Sequence, residues 1–522
     1  MVYLSRRKKD FFRFIFCLLF LFSPIYSKQA PIRISAPSDP ATYDPRQARD
    51  LVTIDVIHLL FSGLTRLSHT GEVELDLAES IKASEDGLQY KISLKKTVWS
   101  DGTSLTAHDF VYTWQSILEK ERACPNAFSL FFIKNASRAY KESLSLQDVG
   151  IKALSDNVLE VTLEQPCPFF LELLATPAFC AVQKKYAQGE TAFTDEKPFP
   201  VSGPYKIQKK QLQSSVQLTK NDQYWAQDKQ EYPDLQFFIT DDATALTLFN
   251  GRQFEWVGSP LGLLPTDSIS PLQKQNKLSV TPAAGTHFIR VNTKDSLLSD
   301  VRIRKALSLV LDRESLVKHV LQGGQEPAFS LTPTCLLPRK CNPCQQDKEL
   351  AKELLASYCK EKACDSKSLS IKLSHAPDER NTRIGLSLQH DIESTLGITV
   401  RIDITDSKQF YSRLCSGDYE MALGSWFADY FDPHAFFSVF ESAHNGTNNT
   451  KWESSLFKTL LQRSLETTDP EKRRECFYEL EAILTAEVPI IPLFHATFNY
   501  AKESAADGVK LSPLGHLDIT QS

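Results

Sequence analysis

Asp429 lies in the run SWFADYFDPHAF, Ser425 to Phe436, between Trp426, Phe427, Tyr430 and Phe431. Aromatic neighbours strip water from a carboxylate, and keeping it ionised there costs free energy unless something replaces that water. The residue types allow two compensations. Backbone N–H groups of a turn could bond Asp429, or a ligand cation such as an ammonium group could pair with it. Asp432-Pro433, just downstream, already reads as the N-cap and first residue of a short helix. The local turn therefore does not need Asp429.

Other chemistry is thinly represented. The chain holds no H-E-x-x-H, no G-x-S-x-G and no glycine-rich phosphate loop, the usual marks of metalloprotease, serine hydrolase and nucleotide sites. His495, in PLFHATF, reads as a strand residue rather than a base. His434 and His444 are ten residues apart, and only Met1 and Met421 could add thioether ligands, so a soft-metal site has few donors. Cys341-x2-Cys344 and Cys359-x4-Cys364 have loose zinc spacing. Disulfide staples on a long loop are the better expectation for them, with connectivity open.

The 522 residues exceed what one core supports and suggest about three lobes. Hydrophobic residues make up 42% and charged residues 24%, the balance of an ordinary globular protein. With a net charge of −5 and no basic stripe beyond the N-terminus, nothing marks a nucleic-acid footprint. The N-terminus reads as a targeting segment. Arg6, Arg7, Lys8, Lys9 and Arg13 precede or flank the apolar run Phe14 to Phe22, and Ser23-Pro24 breaks it. This is a secretory signal pattern with cleavage near Ser27, and the run is too short to span a bilayer. Cys17 lies inside the run rather than after it, which argues against a lipid-anchored cysteine. Cleavage would remove five basic residues and Asp10, taking the net charge from −5 to −9. Ten cysteines would remain, an even number suited to an oxidising compartment.

The elements that must position Asp429 alternate between strands and helices. Ile32 to Ile34 reads as a short edge strand, and Asp55 to Leu64 as a helix. Gln89 to Leu94 and Val158 to Leu163 alternate as strands, with a helix from Phe169 to Ala175. Asp242 to Asn250 has helical spacing. His287 to Asn292 alternates as a strand, and Asp300 caps a helix whose Ile303, Ala306, Leu307 and Val310 share one face. Strands at Leu369 to Leu373, Val400 to Ile404 and Glu420 to Leu423 surround a helix at Leu386 to Leu396. The spacing thus predicts an α/β protein with mixed sheets.

Three blocks carry a family resemblance. Val98 to Trp114, VWSDGTSLTAHDFVYTW, reads locally as a turn at Asp101-Gly102 and a helix capped by Thr106 with Asp109. Asp300 to Leu321 and Ser425 to Phe436 are the other two. Together they resemble the extracytoplasmic solute-binding proteins of family 5, peptide-binding receptors of bacterial ABC importers of the OppA and DppA type. The resemblance runs, with gaps, from about residue 32 to about residue 500. It implies a periplasmic-binding-protein-like fold (type II, cluster C) with three lobes and a hinge-closed cleft. Residues 1–27 would be the signal peptide. Lobe I would combine 28–61, 200–285 and 500–522, lobe II would be 62–199 and lobe III 286–499. The ligand would lie between lobes I and III.

The resemblance also implies a role for Asp429. Trp426, Phe427, Ala428, Asp429 and Tyr430 match the family's W-x-A-D-Y motif, whose Asp holds the free amino terminus of a peptide. Other family contact positions depart from the pattern. Arg49 stands where an acidic residue is expected, Ser407 for a tryptophan, Asn381 for a histidine and Leu423 for an arginine. The expected ligand-binding set is therefore Asp429, Trp426, Tyr430, Phe427, Arg49, Asn381, Ser407 and Leu423, with a changed peptide preference. The function implied is a periplasmic, monomeric substrate-binding component of an ABC importer. It would take oligopeptides, dipeptides or cell-wall-derived peptides to a membrane permease and ATPase complex, without cofactor or catalysis. A metal, haem or nickel carrier on the same fold, or a secreted hydrolase, are the alternatives.

Overall fold

The computed structural model describes residues 30–142, 144–188, 193, 198–227, 233–338, 346–444 and 446–519. The targeting segment, Cys17, Cys341 and Cys344 lie outside them. One mixed sheet of eleven strands organises the fold. Its order runs Thr399–Ile404, Ser370–His375, Met421–Phe427, Leu278–Val291, Ile490–Lys502, Trp256–Gly258, Ile32–Ala36, Leu235–Ile239, Ser215–Lys220, Tyr205–Gln211. The short strand Glu326–Pro327 adds to Ile490–Lys502. A separate four-stranded antiparallel sheet holds Ala78–Ala83, Gln89–Leu94, Val158–Thr162 and Ile151–Ser155.

Ile32–Ala36 is an interior strand, not an edge. It pairs in parallel with Leu235–Ile239 and at Ile34 with Trp256, and Ile32 and Ile34 are buried. Its partners lie some 200 residues away, beyond the reach of any local pattern. The expected helix at Asp55 begins earlier, at Leu51, where the Asp50 side chain accepts the Thr53 N–H, and it ends at Leu60. The helix expected at Leu386 is the C-terminal half of Glu379–Leu396, closed by Gly397 at φ +70°. The Phe169 helix shrinks to Phe170–Leu173.

The Val98–Trp114 block is a junction built as its residues suggest. Gly102 takes φ +83°, and the Asp101 carboxylate accepts the Thr103 N–H at 3.0 Å. The Asp109 carboxylate accepts the Thr106 N–H at 3.0 Å, at the start of the helix Ala107–Ile117. Trp99, Phe110 and Trp114 are fully buried, and the Trp114 ring N–H donates to the Phe179 carbonyl at 3.1 Å.

No disulfide joins the described cysteines. Among the described residues, Cys124, Cys167, Cys180, Cys335, Cys359, Cys364, Cys415 and Cys476 are free thiols. Cys124, Cys167, Cys180 and Cys476 are buried as small apolar side chains, which is a packing role rather than a cross-linking one.

Two long strands tie the large sheet together. Leu278–Val291 and Ile490–Lys502 run antiparallel, with a register shift between Pro282 and Thr286. The extra residues there bend the strand. Ala284 offers its carbonyl to the Ala428 N–H at 2.9 Å, so the irregularity anchors the chain one residue before Asp429.

Candidate functional site

The strand Met421–Phe427 delivers the aromatic motif to the end of the sheet, and two glycines make its path possible. Gly285 faces Phe427 across the strand pair, and a Cβ there would meet the Phe427 ring at 2.4 Å. Gly424 leaves room for Arg290, whose guanidinium occupies the place of a side chain and donates to the Ser425 carbonyl at 3.2 Å. Beyond the strand, exposure alternates: Ala428 and Tyr430 are buried, and Asp429 between them is open.

The turn that follows is fixed without Asp429. The Trp426 ring N–H donates to the Ala435 carbonyl at 2.8 Å. Tyr430 Oη and His434 Nδ1 share a hydrogen bond of 2.8 Å. Asp432 accepts the His434 N–H at 2.8 Å and takes both Arg473 nitrogens, at 2.7 and 2.8 Å. That forked pair is nearly buried, and two parallel charge-assisted bonds make it directional as well as strong. The Phe169 ring stacks on both Tyr430 and His434.

Asp429 points into a cavity of about 440 Å³. Leu51, Phe128, Leu263 and Phe427, all largely exposed, give it apolar walls. Among the described residues, Asp429 is the one acidic residue lining it, and Arg49 and Arg380 are the two arginines. Asp429 lines this concave space, and desolvation by the surrounding protein raises its pKa to about 6. Among the described residues no hydrogen bond or ion pair reaches that carboxylate. The reading in which Asp429 closes a turn through backbone N–H groups therefore fails. His287, on the cavity wall, stacks on Phe494 at 4.5 Å. Burial, and then the charges of Arg380 and Arg290, push its pKa down to about 3, so it is neutral at pH 7. Among the described residues no three His, Cys, Asp or Glu side chains converge as a metal set would. No described helix is long and apolar enough to cross a membrane.

A family model, bacterial extracellular solute-binding proteins, family 5 Middle, matches residues 72–448. The chain belongs to family 5 of the bacterial extracellular solute-binding proteins. The oligopeptide-binding protein OppA of Bacillus subtilis is 34% identical over 496 residues, spanning 93% of this chain and 91% of its own. A crystal structure of a periplasmic oligopeptide-binding protein from Borrelia burgdorferi is 27% identical, covers 91% of this chain and 95% of its own, and superposes with a TM-score of 0.76. The unliganded open form of the periplasmic murein tripeptide-binding protein MppA, at 24% identity, shares the fold with a TM-score of 0.79 over 94% of this chain and 95% of its own.

In this family 5 protein the eight residues expected to hold the ligand separate into two groups. Arg49, Phe427, Asp429 and Tyr430 line the cavity together. Trp426 lies behind it, half-buried, with its ring N–H engaged. Leu423 is packed in the core with Ile289 and Ile491, because an apolar side chain gains more there than at a wet wall. Ser407 is the exposed first residue of the helix Ser407–Ser416 and is not part of the cavity lining. Asn381 misses the lining by one position, and its neighbour Arg380 reaches it.

Arg380, His287 and Gln325 are wall residues that sequence reasoning passed over. His287 stood in a segment read only as a strand. Arg380 is the second residue of the helix Glu379–Leu396, one residue from a position weighed for a histidine. No local signal singled out Gln325.

Proposed function

We propose that this chain is the peptide-binding component of an ABC importer, exported to the periplasm by its first 27 residues, and that Asp429 receives the amino terminus of the peptide. The observation that carries the reading is the Asp429 carboxylate, unpaired at the end of the strand Met421–Phe427 and facing an apolar-walled cavity. An α-ammonium supplies the missing cation, and aromatic walls strengthen the pairing by excluding water. Relatives described as oligopeptide-binding proteins, alignable along nearly the full chain, support the same reading.

The ligand would lie between lobe I, residues 28–61, 200–285 and 500–522, and lobe III, residues 286–499. The cavity walls fit this division, drawing Ser259 and Leu514 from the first and Asp429 and Phe498 from the second, with Phe128 and Thr176 from residues 62–199. The strands Leu278–Val291 and Ile490–Lys502 would carry the hinge. No catalytic step is part of this reading, so a bound peptide returns intact to the permease.

Native mass spectrometry of the purified chain, with release and sequencing of what co-purifies, tests it. Peptides with free amino termini support the assignment, and N-acetylation of a bound peptide should weaken it at least tenfold. Equal affinity for the acetylated and free forms removes Asp429 from this role, and cleaved products would indicate a hydrolase.

A further inference from the structure

The helix Lys348–Lys362 ends in a turn that brings two cysteines together. The Cys364 N–H bonds the Cys359 carbonyl at 3.0 Å, and Ala363, just before Cys364, takes the left-handed conformation at φ +51°. A bond from the second residue past a helix back into its last turn, across a left-handed residue, is a Schellman closure. It sets the side chains at its two ends against each other. Here both of those side chains are thiols. A 3.0 Å bond from N to O holds the two Cα atoms no more than about 7 Å apart, within reach of a disulfide. The Cys359 and Cys364 thiols are hydrogen-bonded to each other. Cys124, Cys180, Cys335 and Cys476 instead meet amide, carbonyl or guanidinium groups. Cys359 and Cys364 are only half-buried, so a reagent in solvent reaches them.

The same turn shows what a covalent bond would add. Left-handed backbone favours glycine, and the helices Glu379–Leu396 and Ser407–Ser416 close on Gly397 and Gly417, at φ +70° and +82°. The helix Lys348–Lys362 closes on an alanine, whose Cβ disfavours that conformation. Its last turn is held from outside, by Arg302 on Glu361 at 2.8 Å. Downstream the chain enters the strand Ser370–His375, which pairs with Met421–Phe427, the strand that leads to Asp429.

We propose that Cys359 and Cys364 form a disulfide when the chain meets a disulfide donor, fastening the helix end where a glycine would otherwise close it. The donor is a small-molecule or protein disulfide. The Cys364 thiolate attacks one donor sulfur and expels the other as a thiolate. The Cys359 thiolate then attacks Cys364 Sγ, forming the Sγ–Sγ bond and releasing the second donor thiolate. The two cysteines lose two electrons to the donor, and their two protons pass through solvent to the donor thiolates. Burial, and then the neighbouring Cys364 thiol, push the Cys359 pKa up to about 11, which makes it the second nucleophile rather than the first. The inference is independent of the peptide reading.

Peptide mapping tests it on the full purified chain, equilibrated with oxidised glutathione and then alkylated at its remaining thiols. Trypsin cuts after Lys360 and Lys362, so residues 353–360 and 363–367 stay joined only through the disulfide. That linked pair should be the main form of both peptides and should vanish on reduction. Cys359→Ser should accumulate glutathione on Cys364, whereas Cys364→Ser should leave Cys359 mostly unmodified. Reduction should lower the thermal midpoint of the native protein by about 2–4 °C more than that of Cys364→Ser. If the two peptides are alkylated separately in the oxidised protein, or if either is joined to Cys341 or Cys344, the proposal is overturned. Glutathione on Cys359 but not on Cys364 in the single variants overturns the assigned order.

Discussion

The ring of Phe169 lies face to face with that of Tyr430, centroids 4.6 Å apart and planes 8° from parallel. Phe169 follows the four-stranded sheet, whereas Tyr430 follows the strand that carries Asp429. The contact therefore joins the two sheets at the residue next to the unpaired carboxylate. Arg473 lies 5.7 Å from the Phe169 ring centroid, while its fork holds Asp432.

Removing that fork should release the turn. Breaking a buried ion pair leaves one charge uncompensated, at a cost of about 3–5 kcal/mol. Asp432 and Arg473 retain some water, so Arg473→Gln should lose about 2–3 kcal/mol in urea unfolding. Its peptide affinity should fall with Asp429 left intact. An unchanged affinity would mean that the turn holds Asp429 without the pair.

Asp429 should make stability and binding respond to pH in opposite directions. Its pKa is raised from the ordinary carboxylate range to about 6, so the folded state holds the proton more tightly than the unfolded chain. Stability contributed by this group falls as pH rises through that interval. Asp429→Asn should therefore raise the thermal midpoint at pH 8 and leave it nearly unchanged at pH 3.5. Peptide affinity should move the other way, falling toward tenfold per unit as the pH drops below about 6. Calorimetry across pH 4.5–8 on the native protein and the variant checks both, and a pH-independent difference in midpoint would contradict the assignment.

The glycine opposite Phe427 is a steric probe of the cavity wall. Gly285→Ala places a methyl group where the Phe427 ring lies, and the ring must move. Overpacking of this kind costs about 1–3 kcal/mol. We expect a folded variant with weakened peptide binding. Gly285→Ala combined with Phe427→Leu should recover stability, and failure to recover would show that the backbone, not the ring, is what the methyl group meets.

A half-buried histidine pair, one member of which lines the cavity, predicts acid sensitivity. His58 and His516 pack with ring centroids 4.3 Å apart, and His516 Nδ1 lies 3.3 Å from Asp55 Oδ1. Burial pushes His516 down to about 4, and burial with the neighbouring ring pushes His58 well below its ordinary value. A depressed histidine pKa means that the unfolded chain takes up protons first, so stability is lost as pH falls from about 6.5 toward 4. Asp55, whose burial raises its pKa well above the ordinary carboxylate range, contributes the opposite slope, losing stability as pH rises. His58→Phe should flatten the loss between pH 6.5 and 4.5 in thermal unfolding, and an unchanged slope would assign the sensitivity elsewhere.

The fold was legible wherever a local rule acts alone. The helix Asp242–Asn250 stands where spacing puts it, and the helix Val301–Val310 where spacing and the Asp300 cap put it. The position of Ile32–Ala36 was hidden because its neighbours are set by chain-distant pairing. Asp429 was legible through its aromatic setting and the W-x-A-D-Y motif. Arg380 was not, since a charged residue in the first turn of a helix ordinarily faces water. Only the folded cavity wall, which Arg380 shares with Gln325 and Thr497, reveals that this one reaches the cavity. The described cysteines misled by their number, because an even count says nothing about whether two thiols ever meet.

The guanidinium of Arg290 fills the place where residue 424 would carry a side chain. The two positions are therefore a single steric unit shared by neighbouring strands. In any relative that keeps an arginine at 290, position 424 should be glycine, and a shorter residue at 290 should free 424 to vary. Pairwise change at these positions would trace which members of the family keep this strand path beneath their ligand.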